Sequence, residues 1–161
     1  MKTNNRIKFM AKTAIIAALY TALTFLCSLV GLSSGVIQLR LSEALIVLTA
    51  FTPAAIPGLT IGCLLSNFLT AAPLWDVIFG PLATLIGALG GYFLRRFPYA
   101  VPVPNIVSNT VTVPLILRYA YGVPDALPFL FTTVFIGEFL STGVVGLFLY
   151  SILRKHNRYL N

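Results

Sequence analysis

Charged side chains are scarce in this sequence, and their scarcity excludes a broad class of proteins. Only 9% of the 161 residues are charged and four are acidic, whereas 58% are hydrophobic. A soluble domain usually carries about a quarter of charged residues. The composition therefore argues against an ordinary water-soluble domain and favours a chain whose solvent is a lipid bilayer.

The residues that catalytic and metal sites most often use are also few. The single histidine, His156, lies in a basic tail, so a cluster of histidine metal ligands is excluded. Cys27 and Cys63 lie inside apolar runs, and we interpret them as small buried residues rather than a disulfide framework. The sequence contains no glycine-rich phosphate-binding loop and no nucleophile-plus-base motif. We therefore expect a protein that is not an enzyme, needs no cofactor and does not itself hydrolyse ATP.

What the sequence does contain is a series of six long apolar segments. They cover Phe9–Val30, Leu39–Phe51, Ala54–Ala71, Trp75–Leu94, Asn105–Tyr119 and Leu127–Leu153. The segments are too long and too continuously apolar for barrel strands, and a bilayer requires every backbone group to find an internal partner. We predict an all-α integral membrane protein, a compact bundle of six transmembrane helices that forms a single domain over residues 1–161.

The lengths of the segments qualify this prediction. A span needs about 20 apolar residues, and the second and fifth segments are shorter. We expect these two to be broken, tilted or flanked by buried loops. The first segment is longer than the apolar part of a secretory signal and is followed by further apolar runs, so we interpret it as a retained first span.

Lysine and arginine are distributed unevenly, which predicts the orientation in the membrane. With six crossings, nine of the eleven basic residues share one side with both termini, and none of the four acids does. The nine are Lys2, Arg6, Lys8, Lys12, Arg95, Arg96, Arg154, Lys155 and Arg158. The positive-inside rule makes this side, and therefore both termini, cytoplasmic. Topology accounts for the net charge of +7, so nucleic acid is not expected as a partner.

Arg40 and Glu43 open the second apolar segment, and their spacing of three places them on one face of a helix. Placing a charged side chain inside a membrane helix costs a few kcal/mol, so such a residue is expected to have a structural or functional role. Two interpretations stay open: an internal pair that neutralises itself and fixes the preceding loop, or a polar wall of an outward-facing pocket.

Glu138 lies about ten residues into the sixth segment, with no basic residue within a helical turn of it. An isolated carboxylate in a membrane helix is a candidate ligand-binding group. The alternatives are a protonated structural glutamate or a pairing with Arg40 or Arg118.

Asn109 and Asn67 are polar amides inside the fifth and third segments, and each suits either interhelical hydrogen bonding or ligand contact.

Trp75 and Asp76 open the fourth segment near its outer end. The tryptophan suits either an aromatic-belt anchor or a flat platform on which a planar ligand stacks.

In the first segment Ala14, Ala18 and Ala22 are four residues apart, a spacing that lets another helix approach closely. This stripe packs either inside the bundle or against a partner protein.

Several of these residues fall in a stretch that resembles a known family. IQLRLSEALIVLTAFTPAAIPGLTIGCLLSN (Ile37–Asn67) resembles the signature region of the QueT family. The resemblance continues through DVIFGPLATLIGALGGY, the asparagine of NIVSN and the Gly-Glu pair of the sixth segment, and it covers most of the chain.

The resemblance implies a function. QueT proteins are S components, the substrate-binding subunits of energy-coupling factor (ECF) transporters in the bacterial plasma membrane, and are associated with uptake of queuosine precursors, which are 7-deazaguanine derivatives. Such a subunit joins a transmembrane coupling subunit and two ATPase subunits, and an alanine-rich first helix docks on the coupling subunit. Ala14, Ala18 and Ala22 match that pattern.

The resemblance also implies roles for the polar residues. A carboxylate is expected to accept the two adjacent N–H donors of the base, Trp75 to stack on its face, and Asn109 or Gln38 to hold its carbonyl. Glu43 or Asp76 would meet a side-chain amine. Two rival hypotheses remain: an S component for another planar vitamin or purine, and a membrane scaffold subunit that does not transport.

Overall fold

The computed structural model describes residues 2–31 and 39–155, with side chains from Asn4 onward, and these residues are helical with short connections. The α-helices are α1 (Lys2–Leu29), α2 (Ala55–Leu69), α3 (Leu74–Phe93), α4 (Val103–Tyr119), α5 (Leu127–Glu138) and α6 (Gly146–Lys155). They are joined by a 3-10 segment (Leu41–Ala50), a short 3-10 turn (Pro98–Ala100) and a π-helical segment (Phe139–Val145). Gln38, His156, Arg158 and most of the glycine- and serine-rich first loop lie outside the described residues.

The predicted all-α class is confirmed, and each apolar segment is helical over most of its length. Prolines mark several of the boundaries. Pro73 precedes α3 and Pro102 precedes α4. Proline has no backbone N–H, but at the start of a helix that group would have no partner within the helix, so no hydrogen bond is lost. Gly122, with φ of +67°, turns the chain between α4 and α5 in a conformation that suits glycine.

Four stretches of the described chain are long and apolar enough to cross a membrane by themselves. They are Asn4–Leu29, Leu74–Phe93, Pro98–Tyr119 and Leu127–Lys155, the last combining α5, the π-helical segment and α6. The fifth predicted span therefore reaches a membrane-spanning length because the 3-10 turn (Pro98–Ala100) extends α4 at its start. The 3-10 segment and α2 are shorter than a bilayer needs on their own.

The 3-10 segment lies in the middle of the molecule. It packs against α1, α3, α6 and the π-helical segment. Most of its side chains are buried, including Ser42, Glu43, Ile46, Val47 and Thr49. Ten residues is long for a 3-10 helix, whose hydrogen-bond geometry is poorer than that of an α-helix. Since other helices surround it, tertiary contacts hold this short second segment in place.

Helices α1 and α2 pack closely through glycine. A Cβ atom added at Gly58 would lie 2.9 Å from Ile16, and one at Gly62 would lie 2.7 Å from Tyr20. The face of α1 that carries Ile16, Ala17 and Tyr20 is accordingly buried. The opposite face of α1 is exposed along most of its length.

Candidate functional site

A cluster of carboxylates and side-chain amides lies inside the bundle, where apolar packing would otherwise be expected. We call it the acid–amide cluster; its members are Tyr20, Glu43, Asn105, Asn109, Glu138 and Thr142. All six are buried, and the two glutamates are only 2% and 7% exposed, Glu43 being the deeper. A buried charge is tolerated when its oxygens accept hydrogen bonds, and both carboxylates do so.

Asn105 joins the two carboxylates. Its Nδ2 donates to Glu43 Oε2 at 2.9 Å and makes a longer contact to Glu138 Oε2 at 3.5 Å. The remaining oxygen of Glu43 accepts from the Tyr20 hydroxyl. Glu138 also accepts from Asn109 Nδ2 at 3.1 Å and from Thr142 Oγ1 at 3.0 Å. Three helical elements that are distant in sequence therefore meet at one amide.

Local backbone features place these side chains. Asn105 fits beside α3 because residue 87 is glycine: a Cβ there would lie 2.3 Å from Asn105 Oδ1. Glu138 ends α5 where the helix widens into the π-helical segment, and Thr142 lies one turn further on. Single turns of π-helix occur often at functional sites. We regard this one as part of the candidate site.

A polar cavity of about 370 Å³ opens where α1, α2 and α4 end and α3 begins. Its polar lining comes from α1, α2 and α3, from the loops that follow α2 and α4, and from the residue before the 3-10 segment: Thr24, Ser28, Arg40, Asn67, Thr70, Asp76 and Tyr121. Arg95 and Arg96 follow the other end of α3, so they lie at the end of the bundle opposite the cavity, whereas Arg40 lines the cavity itself.

Asp76 is the acid of this cavity, and it is 3% exposed. Its Oδ2 accepts from the Tyr121 hydroxyl at 2.8 Å. Asn67 Nδ2 donates to the Asp76 backbone oxygen at 2.9 Å and makes only a 3.4 Å contact to Oδ1. Burial, followed by the charge of Asp76, raises the pKa of Tyr121 above its ordinary value, so this hydroxyl stays a neutral donor.

Arg40 connects the two groups of polar residues. It lines the cavity, and its guanidinium interacts electrostatically with both Asp76 and Glu43. The hydrogen bonds to Glu43 within the described residues come from Tyr20 and Asn105, so Arg40 acts on Glu43 through charge. Arg118 donates instead to the backbone oxygen of Val123 at 3.0 Å and so stabilises its own loop.

The side chain of Trp75 does not line the polar cavity, although Asp76 is its neighbour in sequence. It is 57% exposed, stacks on Phe79 at 5.7 Å between ring centroids and lines an apolar groove of about 420 Å³ between α3 and α4. The aromatic residue at the polar cavity is Tyr121. Sequence reasoning missed it, as it missed Asn105, although Asn105 lies four residues before Asn109 and therefore on the same helical face.

The alanine stripe lies on the exposed side of α1. Ala14, Ala18 and Ala22 are all exposed, while Ala17 between them is buried. The interpretation that this stripe packs inside the bundle is therefore wrong. Ala14 and Ala18 also border a groove of about 450 Å³ between α1 and α2.

An all-helical chain with four apolar stretches of membrane-spanning length and carboxylates buried among its helices is a multi-pass membrane protein. The family model described as QueT transporter matches residues 10–155. The chain therefore belongs to the QueT transporter family.

One curated relative shows how far this similarity reaches in sequence. The chain is 45% identical over 86 residues to the Queuosine precursor transporter QueT of Lactococcus lactis subsp. cremoris (strain MG1363). The alignment covers 52% of this chain and 50% of the relative, so the chain spans about half the length of the relative it matches. No solved structure is detectably similar to the chain.

Proposed function

We propose that this protein is the substrate-binding subunit of an ECF importer and that it binds a queuosine precursor, a 7-deazaguanine base such as queuine or the 7-aminomethyl base. Family membership supports transport, and the name of the Lactococcus relative supports the substrate. The observation that supports the proposal is a cavity of ligand size lined by Asp76 and Arg40, together with the acid–amide cluster, whose Glu43 interacts electrostatically with the same Arg40. Apolar walls with a few fixed polar groups are typical of small-molecule sites.

The chemistry of the base suits this set of groups. A 7-deazaguanine presents two adjacent N–H donors and one carbonyl oxygen. Glu138 Oε1 accepts one hydrogen bond within the described residues, from Asn109 Nδ2 at 3.1 Å, whereas Oε2 accepts from Thr142 Oγ1 at 3.0 Å and makes a longer contact of 3.5 Å to Asn105. A carboxylate has about four acceptor sites, so Glu138 can accept further donors. We assign its carboxylate to the two N–H donors, with Asn109 or Arg40 holding the carbonyl, because charge-assisted bonds are the stronger kind.

The same proposal covers the assembly. Six crossings with both termini in the cytoplasm would place the polar cavity on the outer side of a bacterial plasma membrane. The exposed stripe of Ala14, Ala18 and Ala22 would dock on the transmembrane coupling subunit, and two separate subunits would hydrolyse ATP. This division of labour agrees with a sequence that contains no nucleotide-binding loop.

Titration of the purified protein with 7-deazaguanine bases tests the proposal. We expect Glu138→Gln to weaken binding of every such base by about 1.5–3 kcal/mol, because an amide replaces one acceptor by a donor. Asp125→Asn is the matched control, since Asp125 is exposed on the loop after α4 and its removal should leave affinity unchanged.

Melting temperatures of the same samples separate lost binding from lost folding. Unchanged affinity in a folded Glu138→Gln protein would remove this residue from the binding site. Failure of the unaltered protein to bind any 7-deazaguanine, together with tight binding of another planar nutrient, would contradict the proposed substrate.

A further inference from the structure

We propose that the bend between α3 and α4 is a binding site for the headgroup of an anionic phospholipid. Five side chains of this bend would form the site, and we call them the aromatic–arginine patch: Phe93, Arg95, Arg96, Phe97 and Tyr99. The inference concerns the lipid around the protein. It therefore goes beyond the proposed transport function and does not depend on which ligand occupies the polar cavity.

The first argument is where the patch lies and how exposed its rings are. Phe93, Phe97 and Tyr99 are between 68% and 79% exposed, more than Trp75. The 20 residues of α3 place the patch about 30 Å from the cavity end of the bundle, which is the thickness of the hydrocarbon core. Aromatic side chains concentrate at the level of the lipid headgroups. The patch therefore lies where headgroups can cover it.

The second argument is that the two arginines have no acid beside them. The four acids of the chain lie elsewhere, in the acid–amide cluster, at the polar cavity and in the loop after α4. The guanidinium of Arg95 lies over the ring of Tyr92, 4.1 Å from its centre, and Arg96 is exposed. No described residue accepts a hydrogen bond from either guanidinium. Stacking uses the face of a guanidinium and leaves its N–H donors available, and these donors match the oxygens of a phosphate group.

The third argument is that the bend has a fixed backbone. The N–H of Phe97 donates to the oxygen of Leu94 at 2.7 Å, and the N–H of Ala100 donates to the oxygen of Phe97 at 2.8 Å. Val101 is fully buried, and a Cβ added at Gly91 would lie 3.0 Å from its backbone oxygen. The bend is thus anchored on the bundle while its rings point outward. A site that is ordered in advance loses less entropy when it binds.

Charge complementarity favours lipid over a protein partner. The orientation predicted from the basic residues places the patch at the cytoplasmic leaflet, whose anionic lipids attract arginine and lysine. The stripe proposed to dock on the coupling subunit lies on α1, which packs chiefly on α2, whereas the patch joins α3 to α4. A phosphodiester carrying a net negative charge, flanked by acyl chains, fits two unpaired guanidinium groups among exposed rings.

Native mass spectrometry of the detergent-purified protein, titrated with dioleoylphosphatidylglycerol or dioleoylphosphatidylcholine, tests the inference. We expect the unaltered protein to bind the anionic lipid at least about tenfold more tightly than the zwitterionic one, since each arginine near an anionic lipid contributes roughly fivefold. Arg95→Ala combined with Arg96→Ala should reduce this preference to about threefold or less.

A matched control separates a localised site from basic charge in general. Arg6→Ala combined with Lys8→Ala removes the same number of exposed charges from the start of α1, at the same end of the bundle, because the other end of α1 lines the cavity. This control should keep the full preference. Loss of the preference in the control, or a full preference in the folded Arg95→Ala, Arg96→Ala protein, would overturn the inference.

A second variant tests the rings. Phe97→Ser combined with Tyr99→Ser keeps both arginines and removes two exposed rings, so both lipids should bind about threefold more weakly while the preference between them is preserved. Unchanged affinity for both lipids in this variant would remove the rings from the site.

Two further measurements distinguish the possible occupants. Inorganic phosphate at the concentration of the lipid should not displace dioleoylphosphatidylglycerol, and displacement would overturn the assignment to lipid. Co-purification with the coupling subunit should survive Arg95→Ala combined with Arg96→Ala. Lost co-purification with unchanged lipid binding would assign the patch to a protein partner and overturn the inference. None of these outcomes bears on the proposed function, which titration with 7-deazaguanine bases tests separately.

Discussion

At the scale of single residues, Asn105 determines how the two buried glutamates are arranged. A side-chain amide nitrogen carries two hydrogens, and here one is directed to each carboxylate. The oxygen of the same amide has no hydrogen-bond partner among the described residues and faces Gly87. The position of Asn105 therefore depends on the missing side chain of residue 87.

Gly87→Ala should destabilise the protein for this reason. The added methyl group would lie 2.3 Å from Asn105 Oδ1 and 2.7 Å from its Cα, so backbone has to move. Overpacking of this kind costs about 1–3 kcal/mol, which we expect as a lower melting temperature. Gly143→Ala is the control, because its nearest neighbour would be at 3.6 Å, an ordinary contact. Equal melting temperatures for the two variants would contradict this role of Gly87.

At the scale of elements, α1 has two faces with different partners. One face packs on α2 and the 3-10 segment through Ile16, Ala17 and Tyr20. The other face carries the exposed alanines and borders the groove beside α2. Small side chains on an exposed membrane helix allow close approach by a second helix. We therefore expect a second helix to be able to pack on this face.

Ala14→Leu combined with Ala18→Leu should leave folding and ligand binding intact and abolish uptake. Both positions are exposed, so the added side chains have room within this chain, but they would force a docked helix away. Ligand affinity and co-purification with the coupling subunit, measured on one sample, check this outcome. Ala17→Leu is the comparison, because residue 17 is buried and leucine there should lower the melting temperature. Retained co-purification of the double variant would exclude the stripe as a docking surface.

At the scale of the whole molecule, the two ends of the bundle differ in charge and in openness. Arg95 and Arg96 follow one end of α3, while Asp76 and the polar cavity lie at its other end. The 20 residues of α3 place these ends about 30 Å apart, the thickness of the hydrocarbon core. The charge asymmetry predicts that the cavity faces outward.

Cysteine labelling in intact cells checks this orientation. We expect an impermeant thiol reagent to label Asp125→Cys directly and to label Arg96→Cys only after the cells are permeabilised, because the positive-inside rule predicts that the basic end is cytoplasmic. Both positions are exposed, and the native Cys27 and Cys63 are buried, so they should give little background. Labelling of Arg96→Cys in intact cells would reverse the proposed topology.

The sequence by itself determined the helical class, the approximate limits of the apolar segments and which three acids lie within them. These properties are local: hydropathy sets the solvent of a segment, and prolines and glycines mark several of its ends. Glu43, Asp76 and Glu138 stand out in sequence because ionisable groups are rare in such segments. Ala14 and Ala18 also share a face by spacing alone, but spacing does not say whether that face is buried.

Tertiary structure decided which of these residues meet. Asn105 bonds to Glu43 across 62 positions of sequence and contacts Glu138 across 33, and Tyr121 reaches Asp76 across 45. No local pattern encodes such distances, because they depend on how the helices pack around the 3-10 segment. The same packing leaves Trp75 on the outside and brings Tyr121 to the cavity. Side-chain direction within a bundle is a property of neighbouring helices, so it follows only from the folded arrangement.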